Sequence, residues 1–480
     1  MKKNEIIELE ITDIGVNGEG IGRYDGLAFF VKDALAGDRV RAVITKLNKG
    51  YGFAKMLELI EASPNRVKAP CPSAARCGGC QIMELDYREQ LRIKEEKVRN
   101  DLTRIGKVQD LNLKPVIGMD SPCPLHFRNK MQFPVGRAKD GRVIMGFYAG
   151  RTHCVIEAES CPVSAEGSDN VLKAIRRFIE ENSISVYDEE SGKGLIRHVL
   201  IRVGTHSGQI MVCLVINGDT LGKGSSGRSL DKLFAEEISG KFPHCSSICL
   251  NINKEKTNVI LGNKVRMLFG EDYIEDNIKD LTFRISPLSF FQINSVQTEK
   301  LYSKALEYAK LTGKETVWDL YCGIGTISLF LARQAGKVYG VEIVPAAIEN
   351  AKENALRNHI DNAEFFCGES EKIFPELCRR EGFKADVVVV DPPRRGCGQE
   401  LLDAILEVEP ERIVYVSCNS ATLARDIAVL GEKYRLEEAT PVDMFPHTVH
   451  VETVCLLSNR KRKPDSYVKV SLDMEDYYRI

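Results

Sequence analysis

From about Leu288 to the last strand-like run, the sequence alternates helix-like and strand-like segments without a break, and no other feature constrains the fold as tightly. Ser289 to Lys310 has a helical pattern. It is followed by strand ETVWDLYCG, helix ISLFLARQ, strand KVYGVEI and helix AAIENAKENALRN. AEFFCGE and DVVVVDPPRRG then read as two strands in succession, before a helix around LLDAILEV, strand RIVYVSCN and helix ATLARDIAVL. Alternation of this kind builds a parallel sheet with helices on both faces. LEEATPVDMF and VETVCLLS add two more strands. The expected fold class is therefore α/β, with a doubly wound, Rossmann-like C-terminal domain whose chemistry lies at the carboxyl ends of its strands.

At one such end stands Cys418, where the β-branched run Ile413 to Ser417 gives way to the helix-like Ser420 to Leu430. A free thiol ionises near ~8.5, and a helix N-terminus behind it favours the thiolate. Cys418 is the candidate nucleophile. Most of the 15 cysteines in a chain like this are inert core, so the case for Cys418 rests on its company.

WDLYCGIGT is a strand, a glycine turn and a helix start, in which Gly323 and Gly325 let backbone amides approach a ligand. Glu342 ends the next strand 17 residues after Gly325, placed to accept hydrogen bonds from a ribose diol. A dinucleotide fold is the rival, but Ser328 replaces the third glycine of its fingerprint. Asp391-Pro392-Pro393, after VVVV, decides against it: this stiff turn resembles motif IV of S-adenosylmethionine-dependent methyltransferases acting on planar bases.

The front of the chain is built differently. Residues 1–62 alternate short strand-like runs (IIELEIT, LAFFV, RVRAVITKL, GFAKMLELI) with turns, the pattern of a small closed barrel. From Lys32 to Lys55 six basic residues (Lys32, Arg39, Arg41, Lys46, Lys49, Lys55) stand against two acids (Asp33, Asp38), with Phe29, Phe30, Tyr51 and Phe53 interspersed. Basic grooves with aromatic platforms hold single-stranded RNA, and an ordinary solvated face is the plain alternative. Because the net charge is only -2, any nucleic-acid surface must be local. VNGEGIGRYDGLAFFVKDALAGDRVRAVITKLNKGYGFAK also resembles the TRAM domain, an OB-like RNA-binding barrel, which favours RNA.

Residues 63–285 read as a central β-rich α+β domain with a metal centre. Cys71, Cys77 and Cys80 are spaced Cx5CxxC, and a closed site needs a fourth ligand. Cys161 is the best candidate, Cys154 the substitute, and spacing does not choose between zinc and an iron–sulfur cluster. Glu84 to Ile105 forms a charged helix with Leu91, Val98, Leu102 and Ile105 on one stripe. Strand-like runs such as HVLIRVG and QIMVCLVI follow, with Cys213, Cys245 and Cys249 as packing residues. Residues 286–460 form the α/β domain, and residues 461–480 a tail whose basic run from Arg460 is expected to be solvated. No apolar run approaches the ~18 residues of a membrane span. The start turns acidic too soon for a signal peptide, and the odd cysteine count agrees with a reducing cytoplasm.

A nucleophilic cysteine beside a methyl donor has a specific use. Carbon 5 of a pyrimidine is a weak nucleophile until a thiolate adds at carbon 6, and a base must then remove the carbon 5 proton. Glu452, in FPHTVHVETVCLL, is the assigned base, with His447 and His450 as rivals or orienting groups.

The four cysteines, SFFQIN at Ser289 to Asn294, DLYCGIGT, GVE, DPPRRG, SCN and HVE together resemble the RNA uracil-5-methyltransferase family, close to its ribosomal-RNA branch. The resemblance implies a [4Fe-4S] cluster on Cys71, Cys77, Cys80 and Cys161, S-adenosyl-L-methionine contacts at Gln292, Tyr321, Glu342, Asp391 and Glu369, Cys418 as nucleophile and Glu452 as base. Arg128 and Phe290 match positions near the flipped target. The implied substrate is a uridine of 23S ribosomal RNA, met before full assembly by a monomer. Rivals are the transfer-RNA branch, which normally lacks the barrel and the cysteine cluster, a non-catalytic RNA-binding assembly factor, and a radical S-adenosylmethionine enzyme.

Overall fold

The computed structural model describes residues 1–461 except 151 and 381, so the expected tail lies almost wholly outside the described residues. Strands β1 (Ile6–Ile14), β2 (Gly20–Tyr24), β3 (Leu27–Lys32), β4 (Arg39–Leu47) and β5 (Tyr51–Glu61) close into a barrel in the order β1-β2-β3-β5-β4. Ile7, Leu9 and Ile11 alternate inward along β1, as a half-buried strand requires. Closure is tight: a Cβ on Gly22 would lie 2.3 Å from the Glu10 carbonyl oxygen. Phe29, expected on an RNA-facing platform, points inward and is fully buried, because the period of two puts it opposite Phe30. Phe30, Tyr51 and Phe53 do form one cluster outside, with ring centroids 5.5 to 5.8 Å apart. Arg41 is engaged by Glu8 and Glu58.

Helix α1 (Tyr87–Arg104) starts at Asp86, whose carboxylate accepts from the Arg88 amide. The expected charged helix exists, but it buries a wider face than its apolar stripe. Val98 and Leu102 enter the core of the C-terminal domain, Gln90 and Lys94 are buried as well, and Ile105 is exposed. Burial of side chains such as Val98 and Leu102 stabilises the docking by about 1.5 to 3 kcal/mol each.

The central sheet contains β6 (Lys130–Arg137), β7 (Val143–Tyr148), β8 (Val155–Glu157), β9 (Ile196–Val203), β10 (Ile210–Ile216), β11 (Cys245–Ile252) and β12 (Lys264–Gly270), in the order β12-β11-β10-β9-β6-β7-β8. Helices α2 (Ser168–Glu181) and α3 (Leu230–Lys241) cover one face, where Phe178 meets Phe234 edge-on at 5.1 Å. On the other face Leu200, Met211, Cys213 and Cys249 join one core with the hairpin β13 (Ile274–Ile278) and β14 (Leu281–Ile285) and with helix α4 (Ser295–Ala309). The three cysteines expected to pack are thus buried.

The last domain continues with β15 (Thr316–Asp319), α5 (Thr326–Ala332), β16 (Lys337–Glu342), α6 (Pro345–Arg357), β17 (Ala363–Cys367), α7 (Ser370–Arg380), β18 (Val387–Val390), α8 (Gln399–Val408), β19 (Arg412–Ser417), α9 (Ser420–Leu430), β20 (Tyr434–Val442) and β21 (Glu452–Asn459). Its sheet order is β17-β16-β15-β18-β19-β21-β20. The first five strands are parallel, and β21 inserts antiparallel between β19 and β20. Helix α7 is absent from the sequence reading. Pro375 lies inside it and hides the helical pattern, yet Phe374 and Pro375 are buried, with Phe374 edge-on to Trp318 at 5.2 Å. Among the described residues no helix is long and apolar enough to cross a membrane.

Candidate active site

Four carboxyl and thiol groups meet at one end of the C-terminal sheet. Asp319 ends β15, Asp391 follows β18, Cys418 follows β19, and Glu452 begins β21. Because β21 runs antiparallel to β19, with Ser417 opposite Thr453, the start of one strand arrives beside the end of the other. Glu452 is 3 % exposed, and its Oε2 has no hydrogen-bond partner. Burial, then the charge of Asp391, raises its pKa well above the carboxylate range. The Asp319 carboxylate accepts from Ser328 Oγ at 2.6 Å, but burial still pushes it up to about 6. Asp391 is raised to about 7 by burial and by Asp319.

Cys418 sits where the sequence predicts, at the head of α9, whose first turn is capped by the Asn419 side chain accepting from the Ala421 amide. Its acidity does not follow the expectation. Burial, Glu452 and Asp391 push the thiol up to about 11, more than the helix end offsets. The cation that acts the other way is Arg394, which the sequence reading passed over inside DPPRRG. Arg394 also opposes the raised pKa of Glu452, and after burial it is the leading cause that lowers His450 to about 4. Its loop is locked to α9. The Arg394 carbonyl accepts from Asn419 Nδ2 at 3.1 Å and from Thr422 Oγ1 at 3.3 Å, and Asp426 Oδ2 accepts from the Cys397 amide at 2.9 Å. Gly396, with φ 77°, has no room for a side chain, since a Cβ there would lie 2.6 Å from Asp426 Oδ2. The run of small and basic residues after the two prolines was the available signal.

His447 is no rival base. It is buried, its Nε2 lies 2.7 Å from the Pro124 carbonyl and its Nδ1 3.3 Å from Gln90 Nε2, so both ring nitrogens have partners.

The glycine turn after β15 forms as expected, with Gly323 and Gly325 both at positive φ. Glu342 accepts from the Gly323 amide at 3.3 Å and the Val344 amide at 3.0 Å, which aims its carboxylate along the rim of the turn. Tyr321 stands on the same turn, half-buried, and Gln292 is buried on the strap before α4, its carbonyl accepting from Asn129 Nδ2 at 2.8 Å. Glu369 lies at the head of α7, exposed and paired with Lys372. Phe290 is 66 % exposed, two residues before Gln292. Arg128 instead lines the cysteine cavity, and its Nε donates to the Lys130 carbonyl at 2.9 Å.

Cys71, Cys77, Cys80 and Cys161 line one cavity together with Phe445, Pro446 and Thr448. Cys154 is exposed and takes no part in that wall. Burial, then Cys161, Cys77 and Cys71, raise the Cys80 thiol to about 12. A donor set of four thiols that act on one another suits a thiolate-bound group. The single-ion site allowed by the Cx5CxxC spacing is not formed: among the described residues no three His, Cys, Asp or Glu side chains are grouped to hold one metal ion. The four thiols line one cavity and act on one another.

Residues 250–460 match the tRNA (Uracil-5-)-methyltransferase family and residues 2–57 the TRAM domain. An uncharacterized RNA methyltransferase of Halalkalibacterium halodurans is 47 % identical over 458 residues, 95 % of this chain and 98 % of its own. One of Clostridium tetani is 48 % identical over 459 residues, 95 % of this chain and 97 % of its own. Among solved structures, Pyrococcus abyssi tRNA (uracil-54, C5)-methyltransferase in complex with S-adenosyl-L-homocysteine superposes with a TM-score of 0.73 at 28 % identity, over 94 % of this chain and 100 % of that one.

Proposed function

The chain belongs to the RNA uracil-5-methyltransferase family, with a TRAM domain at its front, and from that premise we propose that it methylates carbon 5 of a uridine in 23S ribosomal RNA through a covalent adduct at Cys418. The observation that carries this reading is the meeting of Cys418 and Glu452 at one sheet end, each with Asp391 and Arg394 among the groups that act on it. Methylation of an amine or hydroxyl has no use for such a pair.

The target uridine leaves its stack and enters the cleft, at a cost of a few kcal/mol that is least in an unfolded strand. Cys418 first gives its thiol proton to solvent, and the thiolate then forms a bond to carbon 6 as the carbon 5–carbon 6 π pair moves to carbon 5. S-adenosylmethionine supplies the methyl group, with Glu342, Tyr321, Gln292 and Asp391 as its assigned contacts and Glu369 as a further one at the rim. Glu452 then takes the carbon 5 proton, and that electron pair re-forms the ring double bond as the sulfur–carbon bond breaks. The raised pKa of Glu452 makes it a stronger base than an exposed carboxylate. Arg394 holds positive charge beside the thiolate during the first step.

The four cysteines are assigned a [4Fe-4S] cluster with a structural task. Four cysteine thiols lining one cavity are the ligand set that such a cluster takes. Its walls include Phe445, Pro446 and Thr448, which lead to Glu452, so an occupant braces the strand that carries the base. Iron and sulfide analysis of anaerobically purified protein, with Cys77→Ser as comparison, tests it.

Transfer RNA is the second substrate reading, favoured by the Pyrococcus abyssi enzyme. That match extends over 94 % of this chain, so the barrel does not by itself separate the two substrates. Denaturing mass spectrometry with 5-fluorouridine-substituted 23S ribosomal RNA and transfer RNA decides, since fluorine blocks the last elimination. An adduct on ribosomal RNA, absent in Cys418→Ala, is expected. An adduct on transfer RNA alone moves the substrate, and methyl transfer without any adduct removes the covalent mechanism.

A further inference from the structure

Lys130 on β6 and Arg202 on β9 stand directly opposite each other in an antiparallel pair. Side chains so placed have Cβ atoms about 5 Å apart, and like charges there repel. Among the described residues neither forms an ion pair with an acid. Lys130 is pushed down to about 8 by burial, then by Arg202 and Arg128, and Arg202 to about 10 by burial alone. Arg202 is 1 % exposed, and its Nε and Nη1 have no hydrogen-bond partner. Arg128, whose Nε donates to the Lys130 carbonyl, adds a third cation. A buried charge without a partner is costly, and a cluster of them creates a strongly positive site that an anion would neutralise.

The surroundings indicate which anion. The third nitrogen of Arg202, Nη2, donates to the Ser289 carbonyl at 2.9 Å, and the next residue is the exposed Phe290. Asn129, between the two cations of β6 and its approach, holds the Gln292 carbonyl on the same strap. An aromatic platform beside a cation cluster is how single-stranded nucleic acid is held, base on ring and phosphate on charge.

We propose that Lys130 and Arg202 form a binding site for a backbone phosphate of single-stranded RNA whose neighbouring base stacks on Phe290. The inference rests on the RNA reading above and adds a site to it. The like-charge pair is then an unfavourable arrangement in the free protein that the bound phosphate relieves.

The test is equilibrium binding of the full chain to single-stranded oligouridylate across a salt series. For single strands each neutralised phosphate contributes about 0.7 to the slope of log affinity against log salt. Lys130→Gln is expected to weaken binding severalfold and reduce the slope by about that amount, while Lys130→Arg keeps it and Lys173→Gln, on exposed α2 surface, changes nothing. Lys130→Gln without RNA should melt no lower than wild type, because a repulsion has been removed. An unchanged slope overturns the site, and a lower melting temperature with unchanged slope assigns Lys130 to the fold. Weaker S-adenosylmethionine binding by Lys130→Gln overturns it too, placing the cofactor carboxylate there. If wild type itself neither binds nor methylates RNA, the RNA reading fails, whereas normal wild-type binding with an unaltered variant removes the phosphate site alone.

Discussion

Lys94 Nζ and Asp443 Oδ1 meet at 2.5 Å with neither side chain exposed to solvent. Tyr87 donates to the other carboxylate oxygen at 2.8 Å, and Lys94 also donates to the Phe445 carbonyl at 3.0 Å. The pair ties α1 to the segment that runs from β20 to Glu452. Removing one partner leaves a buried charge, so Lys94→Met should destabilise the protein by about 3 to 5 kcal/mol. Paired with Asp443→Leu, most of that loss should return. Urea unfolding of the two single variants and the double variant measures it, and a double variant no better than Lys94→Met would show that the charges do not compensate each other.

The raised Cys418 thiol predicts a pH profile. A group held up to about 11 is mostly protonated at neutral pH, so alkylation of Cys418, followed by mass spectrometry of its peptide, should rise steadily from pH 7 towards 11. Glu452→Gln keeps position 452 neutral at every pH, as the raised pKa of Glu452 already does at the acid end of such a series. Alkylation of the variant and wild type should therefore agree there and part, with the variant faster, as Glu452 ionises, while methyl transfer is lost; an excess that is constant with pH would mean that the site has merely opened.

Arg394 acts in the opposite sense. An opposite charge close by shifts a pKa by about 1 to 3, so Arg394→Gln should slow Cys418 alkylation at pH 8 by roughly tenfold, and Arg394→Lys should restore most of it. Equal alkylation by all three proteins would move Arg394 from the thiol to the RNA.

Asp391, at about 7, and Asp319, at about 6, predict how stability depends on pH. Their folded values lie above the ordinary 3.8, so folding favours the protonated forms. The stability they contribute is complete below about pH 4 and is lost as pH rises through 6 and 7. Asp391→Asn cannot ionise there, so its melting temperature should gain on that of wild type between pH 5 and pH 8. A constant gap would mean that Asp391 is already ionised across the range.

The barrel, the parallel strands and the positions of Cys418, Asp391 and Glu452 were legible because each depends on local pattern: a period of two, a helix start, a stiff turn. What was not legible depends on neighbours distant in sequence. Phe29 and Phe30 are equally aromatic, and only barrel closure decides which faces in. Helix α7 was hidden by Pro375, since its stability comes from Phe374 packing on Trp318 and not from propensity. The thiol's acidity was misjudged because a helix end is visible at positions 418 to 430, whereas the two carboxyl groups brought in by Asp391 after β18 and Glu452 at the start of β21 are not. Arg394 was missed for the same reason.

The antiparallel insertion of β21 also sets an order of events during synthesis. Cys418 and the Gly323–Gly325 turn follow strands made earlier, but Glu452 takes its place only once β21 stands between β19 and β20, after most of the chain has been produced. A nascent chain can therefore hold a complete parallel sheet and still lack Glu452. Any chemistry that needs Glu452 beside Cys418 waits for β21.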